Sequence, residues 1–385
     1  MCKVHKYFLI LSLSAAIGLL SACSWAQVAA ASRTAAVLQK EFVSLSSYTD
    51  AKLLPGGKGL TIVDHNTLKI LDNDGQVVGT YIAPKKLGEW DVTLGNVHSG
   101  LANGNYLAEL RLSEPGNPGV SGIILVCITS TGKRVWKRPV SDPVIVAKSG
   151  RTILERGHEG GEAEFLDMDG KVIWRRSDVY GYTADLSPDG EFAVIANEKK
   201  PETVVIGKDG KTVWSIPIRA DEVAISSNGS AVAVYTNAGE IPIGTIRWYD
   251  VTGRERWHKD ISLSKLRISE NSKTLLVGVE TKTHAGVSVF DSTGTLLWDS
   301  PPSFGRWRQE EGVFDVSPDG NSLLVSFDES SGRSLYLLST DGKLNSRVSV
   351  PSSGRISWSE DWKTLLIQDK CKVQIYKDNL FADNR

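Results

Sequence analysis

Residues 183–215 read TADLSPDGEFAVIANEKKPETVVIGKDGKTVWS, and this stretch decides the fold. A Ser187-Pro188-Asp189-Gly190 turn separates the short run Thr183–Ser187 from the β-rich run Glu191–Asn197. A third run, Thr203–Lys208, ends at Asp209-Gly210, and the fourth, Lys211–Ser215, puts Trp214 four residues past that glycine. An Asp-Gly pair supplies the positive φ that a tight hairpin requires. Four short strands joined by turns make one antiparallel sheet, and the question becomes how often it repeats.

The first kind of turn recurs at Pro55-Gly56-Gly57, Ala102-Asn103-Gly104, Lys148-Ser149-Gly150, Ser226-Ser227-Asn228-Gly229, Ser269-Glu270-Asn271-Ser272, Ser317-Pro318-Asp319-Gly320 and Ser359-Glu360-Asp361-Trp362. Eight turns at a period of about 44 residues match the length of a propeller blade. The second kind, glycine followed four residues later by tryptophan, recurs as Gly132/Trp136, Gly170/Trp174, Gly210/Trp214, Gly253/Trp257 and Gly294/Trp298. Gly75 and Gly342 keep the turn but are followed by Gly79 and Ser346. Five tryptophans in one register are packing residues first, each large ring filling the wedge between two blades. The eighth unit has three strands, at Arg355–Ser359, Lys363–Asp369 and Cys371–Lys377, while an unassigned β-like segment, Lys40–Ser46, precedes the first unit. Ring closure by that N-terminal segment leaves no exposed sheet edge. The expected fold is therefore all-β, an eight-bladed β-propeller of four-stranded antiparallel blades over 38–378. Seven blades result if the irregular first unit does not form one.

The turns Leu186–Gly190 and Val316–Gly320 resemble those of WD40-like propellers. The segment Tyr249-Asp250-Val251-Thr252-Gly253-Arg254-Glu255-Arg256-Trp257 resembles the tryptophan-docking repeat of quinoprotein-like propellers. That resemblance implies a fold more than a function, because propellers host enzymes, receptors and scaffolds alike. It raises a dehydrogenase using pyrroloquinoline quinone as one alternative. Such enzymes commonly pair adjacent cysteines with a calcium site over the channel, and here no two cysteines are neighbours. Fold and N-terminus together are similar to the propeller lipoprotein of the outer-membrane barrel-assembly machinery.

The N-terminus reads as an address. Lys3 and Lys6 precede an apolar run, Tyr7–Leu20, too short to span a bilayer comfortably and of secretory length. It ends in Leu20-Ser21-Ala22-Cys23, which resembles a lipobox, so the expected layout is a signal peptide at 1–22, a lipidated Cys23 with a tether to 37, and a tail at 379–385. Cleavage after Ala26, giving a soluble periplasmic or secreted form, is the alternative. Acyl chains on Cys23 would hold the domain on a membrane, and Ser24 next to it looks like outer-membrane sorting. Cys127 and Cys371 fall in different blades, so a disulfide between them is not expected.

Across all 385 residues, 44 Lys+Arg stand against 45 Asp+Glu, which gives no nucleic-acid footprint. The six histidines form no spaced metal pair. Asp72/Asp74 and Asp167/Asp169 lack the downstream acid of a cation loop. Gly207–Thr212 imitates a phosphate loop with the wrong spacing and no following helix. No nucleophile elbow is present. No metal or cofactor is expected, and an enzyme, whether a quinone-dependent dehydrogenase or a hydrolase, is the less favoured reading.

Loops after the second and fourth strands share one face of such a ring. There the irregular segments Tyr81–Trp90, Ser113–Gly122, His158–Glu162, Asn197–Glu202, Thr236–Gly244 and Pro301–Gly312 collect. Within them Trp90, Tyr180, Tyr182, Arg306, Trp307 and Arg308 have the composition of protein-interface anchors. Alternatively, Trp307 caps the channel and the arginines pair with Glu310 and Glu311. The expected function is an envelope lipoprotein that binds a protein partner through this face without catalysing a reaction, a carbohydrate-binding propeller being a further alternative.

Overall fold

The computed structural model describes residues 37–43, 49–54, 58–98, 100–117, 119–157, 161–237, 243–280, 285–307, 313–330, 332–351, 354–359, 362–369 and 372–377. The expected leader 1–22, Cys23, Arg308, Cys371 and the tail 379–385 lie outside them, as do the turns at 55–57 and 360–361.

The strands fall into eight antiparallel sheets, one per repeat. Blades 1 to 7 span 49–82, 86–140, 145–176, 184–216, 222–261, 263–299 and 314–350, and blade 8 joins 355–377 to the N-terminal strand. The fourth repeat forms strands at Ala184–Leu186, Phe192–Asn197, Glu202–Gly207 and Thr212–Ile216, close to its sequence reading. First strands of successive blades lie beside one another, Ala184–Leu186 next to Glu222–Ile225 and that next to Leu263–Ile268, so they surround the axis. The middle strands are buried almost throughout because a neighbouring blade covers each face. Outer strands such as Thr212–Ile216 bury one face only.

Two details depart from expectation. Blade 2 carries a fifth short strand, Lys86–Leu87, folded back on Trp90–Asp91. The closing strand is Val37–Val43 rather than Lys40–Ser46, pairing from Val37 with Lys377 to Val43 with Lys372. Its register explains the shift. Every outer strand has a one-residue bulge, at Val78, Val135, Ile173, Val213, Arg256, Leu297 and Asn345 in blades 1 to 7 and at Gln39 in blade 8. Aligning that bulge with the others brings residues 37–39 into the ladder. A bulge twists the outer edge away from flat pairing, one of the devices that guards an open sheet edge.

Each seam between blades has its own buried cluster. At the seams from 2/3 to 6/7 a tryptophan of one outer strand lies under the hairpin of the next blade. Trp174 sits below Gly210 and Trp214 below Gly253, and Trp136, Trp257 and Trp298 repeat the arrangement below Gly170, Gly294 and Gly342. Trp174 also stacks on Phe165 at 5.2 Å, and Trp257 on Trp248 at 5.6 Å. Between the first-strand turns, backbone bonds add further ties, such as Ser149 N to Pro188 O at 2.8 Å and Asn271 N to Pro318 O at 3.1 Å. Cys127 is a buried free thiol in the third strand of blade 2, and burial pushes it up to about 11.

Candidate functional site

The loop-rich face gathers the connections from outer strands to the next inner strands. Trp90 opens the first strand of blade 2 and is exposed. Tyr180 and Tyr182 lie on the connection from blade 3 to blade 4, where two loops converge on them. Arg156 Nη1 donates to the Tyr182 carbonyl at 2.6 Å. Lys199 Nζ stands 5.2 Å from the Tyr180 ring centroid, a cation–π approach, and Glu198 N donates to the Tyr180 carbonyl at 2.9 Å. The Tyr182 ring remains exposed. Arg306 lies on the connection from blade 6 to blade 7 with a 68% exposed side chain, its Nη2 3.3 Å from Glu280 Oε1. The face thus brings Tyr180, Tyr182, Arg156 and Lys199 together, with Trp90 and Arg306 on the connections into blades 2 and 7.

Trp307 is not part of that surface. Its side chain is 2% exposed and fills the seam between blades 6 and 7, 5.2 Å from Phe314. The backbone directs it there, because Arg306 and Asp328 exchange two hydrogen bonds and turn the next residue inward. Gly278 provides the room, since a Cβ there would stand 2.6 Å from the Trp307 ring. That glycine in a strand interior was the sequence signal for a ring packed against it. The expectation of Trp307 as an exposed anchor is therefore corrected; Arg306 pairs with Glu280, and residues 310 and 311 lie outside the described residues.

Sequence reasoning missed the channel. First strands line the axis with a free edge, and polar side chains of one blade reach the backbone of the next. Asp185 of blade 4 accepts from Leu186 N at 2.9 Å and from Ile225 N of blade 5 at 3.1 Å. Glu222 of blade 5 accepts from Leu266 N of blade 6. Asp315 of blade 7 accepts from Trp358 Nε1 of blade 8 at 3.0 Å. Lys52 of blade 1 donates to Val97 O of blade 2 at 3.1 Å. Burial raises the carboxyls of Asp185 and Glu222, and Arg267 opposes both shifts. Lys148 of blade 3 reaches across the axis to within 3.6 Å of Glu270 of blade 6. Burial pulls its ammonium down, but Asp315, Glu270 and Asp185 outweigh that and the net shift is upward. Protein surrounds this lysine closely, yet 44% of its side chain touches channel water, so these attractions act through a screened medium.

This lining ties blades together. Among the described residues no group of three or more His, Cys, Asp or Glu converges as a metal site. Fold and surface together define a propeller of PQQ-like, tryptophan-docked repeats whose exposed aromatic and cationic side chains collect on one face.

A family model described as outer membrane protein assembly factor BamB (PQQ_2) matches residues 159–310, which run from blade 3 into the connection after blade 6. The crystal structure of BamB from Moraxella catarrhalis is similar at TM-score 0.55 and 14% identity, covering 89% of this chain and 100% of that one. The Cps50 (Swd1) β-propeller domain of Myceliophteria thermophila is similar at TM-score 0.50 and 12% identity, covering 89% and 99%. No curated protein sequence matches. The chain is thus a BamB-like PQQ-repeat propeller in fold, and identities this low speak to fold alone.

Proposed function

We propose that this protein is a lipid-anchored scaffold of the bacterial envelope that binds a protein partner through its loop-rich face and catalyses no reaction. The carrying observation is the exposed Tyr182 beside Tyr180, Arg156 and Lys199, on a rigid ring whose channel side chains are spent on inter-blade ties. Interfaces draw most of their energy from a few aromatic and arginine anchors. The matching family model carries the description of an outer-membrane assembly factor, which favours an envelope-assembly protein as partner. The lipobox at Cys23 supports anchoring, and a short tether would raise the local concentration for weak contacts.

Crosslinking and pull-down from membranes test this reading. Tyr182→Ala with Arg306→Ala should weaken partner capture at least tenfold with little change in thermal stability. Asp169→Ala with Asp209→Ala, on the hairpin face, should leave capture intact. Full capture by the loop variant would refute the site. Turnover of a substrate by the purified protein would refute the class.

A further inference from the structure

We infer that the hairpin face, where third strands turn into outer strands, rests on a lipid bilayer through exposed aliphatic residues at its rim, an orientation that builds on the anchoring at Cys23 proposed above. Among the described residues thirteen large hydrophobic side chains are exposed, and they divide by face. Five, including Trp90 and Tyr182, lie on the loop-rich face. The other eight, 38% to 54% exposed, lie in the hairpins between third and outer strands.

The outer-strand bulge sets their position. In blades 1, 2, 3, 4 and 6 the extra residue is an exposed aliphatic: Val78, Val135, Ile173, Val213 and Leu297. Having no partner in the ladder, a bulged residue gains nothing from cross-strand packing. A polar one serves the fold as well, as Arg256 and Asn345 do in blades 5 and 7. Four of the five blades are consecutive, so the aliphatic positions form an arc along one side of the rim. Exposed apolar surface gathered in this way marks a contact with protein or membrane.

The charges around the arc suit lipid headgroups. In five of the seven hairpins the residue after the turn glycine is an exposed Lys or Arg, at 133, 171, 211, 254 and 343. Such long side chains lay their stems along apolar surface while the charge stays at the polar boundary. The hairpin aspartates are drawn the other way, onto the turn backbone. Asp167 Oδ1 accepts from Asp169 N at 3.0 Å and from Lys171 N at 2.9 Å, and Asp250 Oδ1 accepts from Thr252 N at 2.8 Å and from Arg254 N at 3.1 Å.

The path of the chain is a second, independent observation. Val37 pairs with Lys377 and Val43 with Lys372, so the closing strand starts at the hairpin face and runs toward the loop-rich face. It enters beside blade 1, at one end of the aliphatic arc. Cys23 lies 14 residues before Val37, a reach of at most about 50 Å. The loop-rich face stands farther from that entry by the length of a strand, about 20 Å for seven residues. An anchor at Cys23 therefore holds the hairpin face next to the bilayer and leaves Tyr182 facing away from it, toward a partner outside the membrane.

Flotation of the exported Cys23→Ala chain, which carries no lipid, with phosphatidylethanolamine–phosphatidylglycerol vesicles tests the surface apart from the anchor. The chain should float with the vesicles. Val78→Ser with Val135→Ser and Val213→Ser should lower its partition at least tenfold, whereas Ile82→Ser with Val120→Ser, comparably exposed on the loop-rich face, should leave it unchanged. Absence of flotation, or equal partition of the triple variant, would overturn the inference, as would crosslinking of these hairpins to an envelope protein without any vesicle binding. Should the triple variant fail to fold, hydrogen exchange of the Cys23→Ala chain decides. Vesicles should then slow peptides 130–136, 169–175 and 208–214 at least fivefold but not 197–202, and uniform exchange would refute the contact. A native chain found without lipid at Cys23 that still floats would refute the anchor and leave the surface standing.

Discussion

A glycine pair isolates what the docking tryptophans contribute. Gly104 and Gly253 share one backbone conformation, with φ of 79° and 78°. At Gly104 an added Cβ meets nothing within 4 Å, whereas at Gly253 it stands 2.7 Å from Cγ and 2.8 Å from Cδ2 of Trp214. Gly104→Ala should therefore cost only the left-handed penalty, about 1–2 kcal/mol. Gly253→Ala bears the same penalty plus about 1–3 kcal/mol for crowding a packed ring. Trp214→Ala alone should cost about 3–5 kcal/mol. Once that ring is gone, Gly253→Ala should fall back to the Gly104→Ala value. Urea midpoints at constant m-value would close this double-mutant cycle. Equal losses for the two glycine variants, or a Gly253→Ala loss unchanged without Trp214, would refute the docking argument.

Further expectations concern single side chains. Trp307→Ala should lower stability by about 3–5 kcal/mol as a buried ring of the 6/7 seam; an unchanged denaturation midpoint would mean the ring is not packed there. Glu222 has a carboxyl raised above its ordinary 4.5 by burial, so folding favours its protonated form, and stability contributed by that form is lost as pH rises from 4.5 through the raised value. Glu222→Gln keeps an acceptor for Leu266 N, so the variant should be more stable than the parent at pH 8 and equal to it at about pH 4. Asp185, Lys265 and Arg267 face the same group, and an equal stability difference at both pH values would count against this titration. Cys23→Ala should move the protein from the membrane to the soluble fraction, and a mature N-terminus found unmodified at Gln27 would exclude lipidation.

The fold was legible because its signals are local. A Ser-Pro-Asp-Gly turn or a glycine four residues before a tryptophan acts over a handful of residues, and eight copies set the architecture. The closing strand was three residues off because its phase depends on a bulge opposite Tyr376 and Ile375, at the far end of the chain. The candidate surface was only partly legible. Tyr180 and Tyr182 stood out by composition, but Arg156 and Lys199 reach them from loops on either side. Trp307 looked like an interface anchor because it sits in a long polar loop, and only Gly278, on another strand, admits it to the interior. The channel ties were invisible for the same reason: Asp185 and Ile225 are 40 residues apart and meet only once the ring exists.

The seven-residue strand that completes blade 8 leads the chain, and this sets an order of events during synthesis. Blades 1 to 7 each assemble from contiguous hairpins and can form as they emerge, with short loops to close. Val37–Val43 emerges before all of them and has no partner until residues 372–377 have been made. Ala51 and Gln368, joined across the seam between blades 8 and 1, are 317 residues apart. Loop-closure entropy grows only with the logarithm of length, so the obstacle is waiting time rather than free energy. A nascent chain therefore carries an unpaired β-strand at its leading end for the whole of its elongation. Any factor that attends this protein before it is finished has that strand to hold.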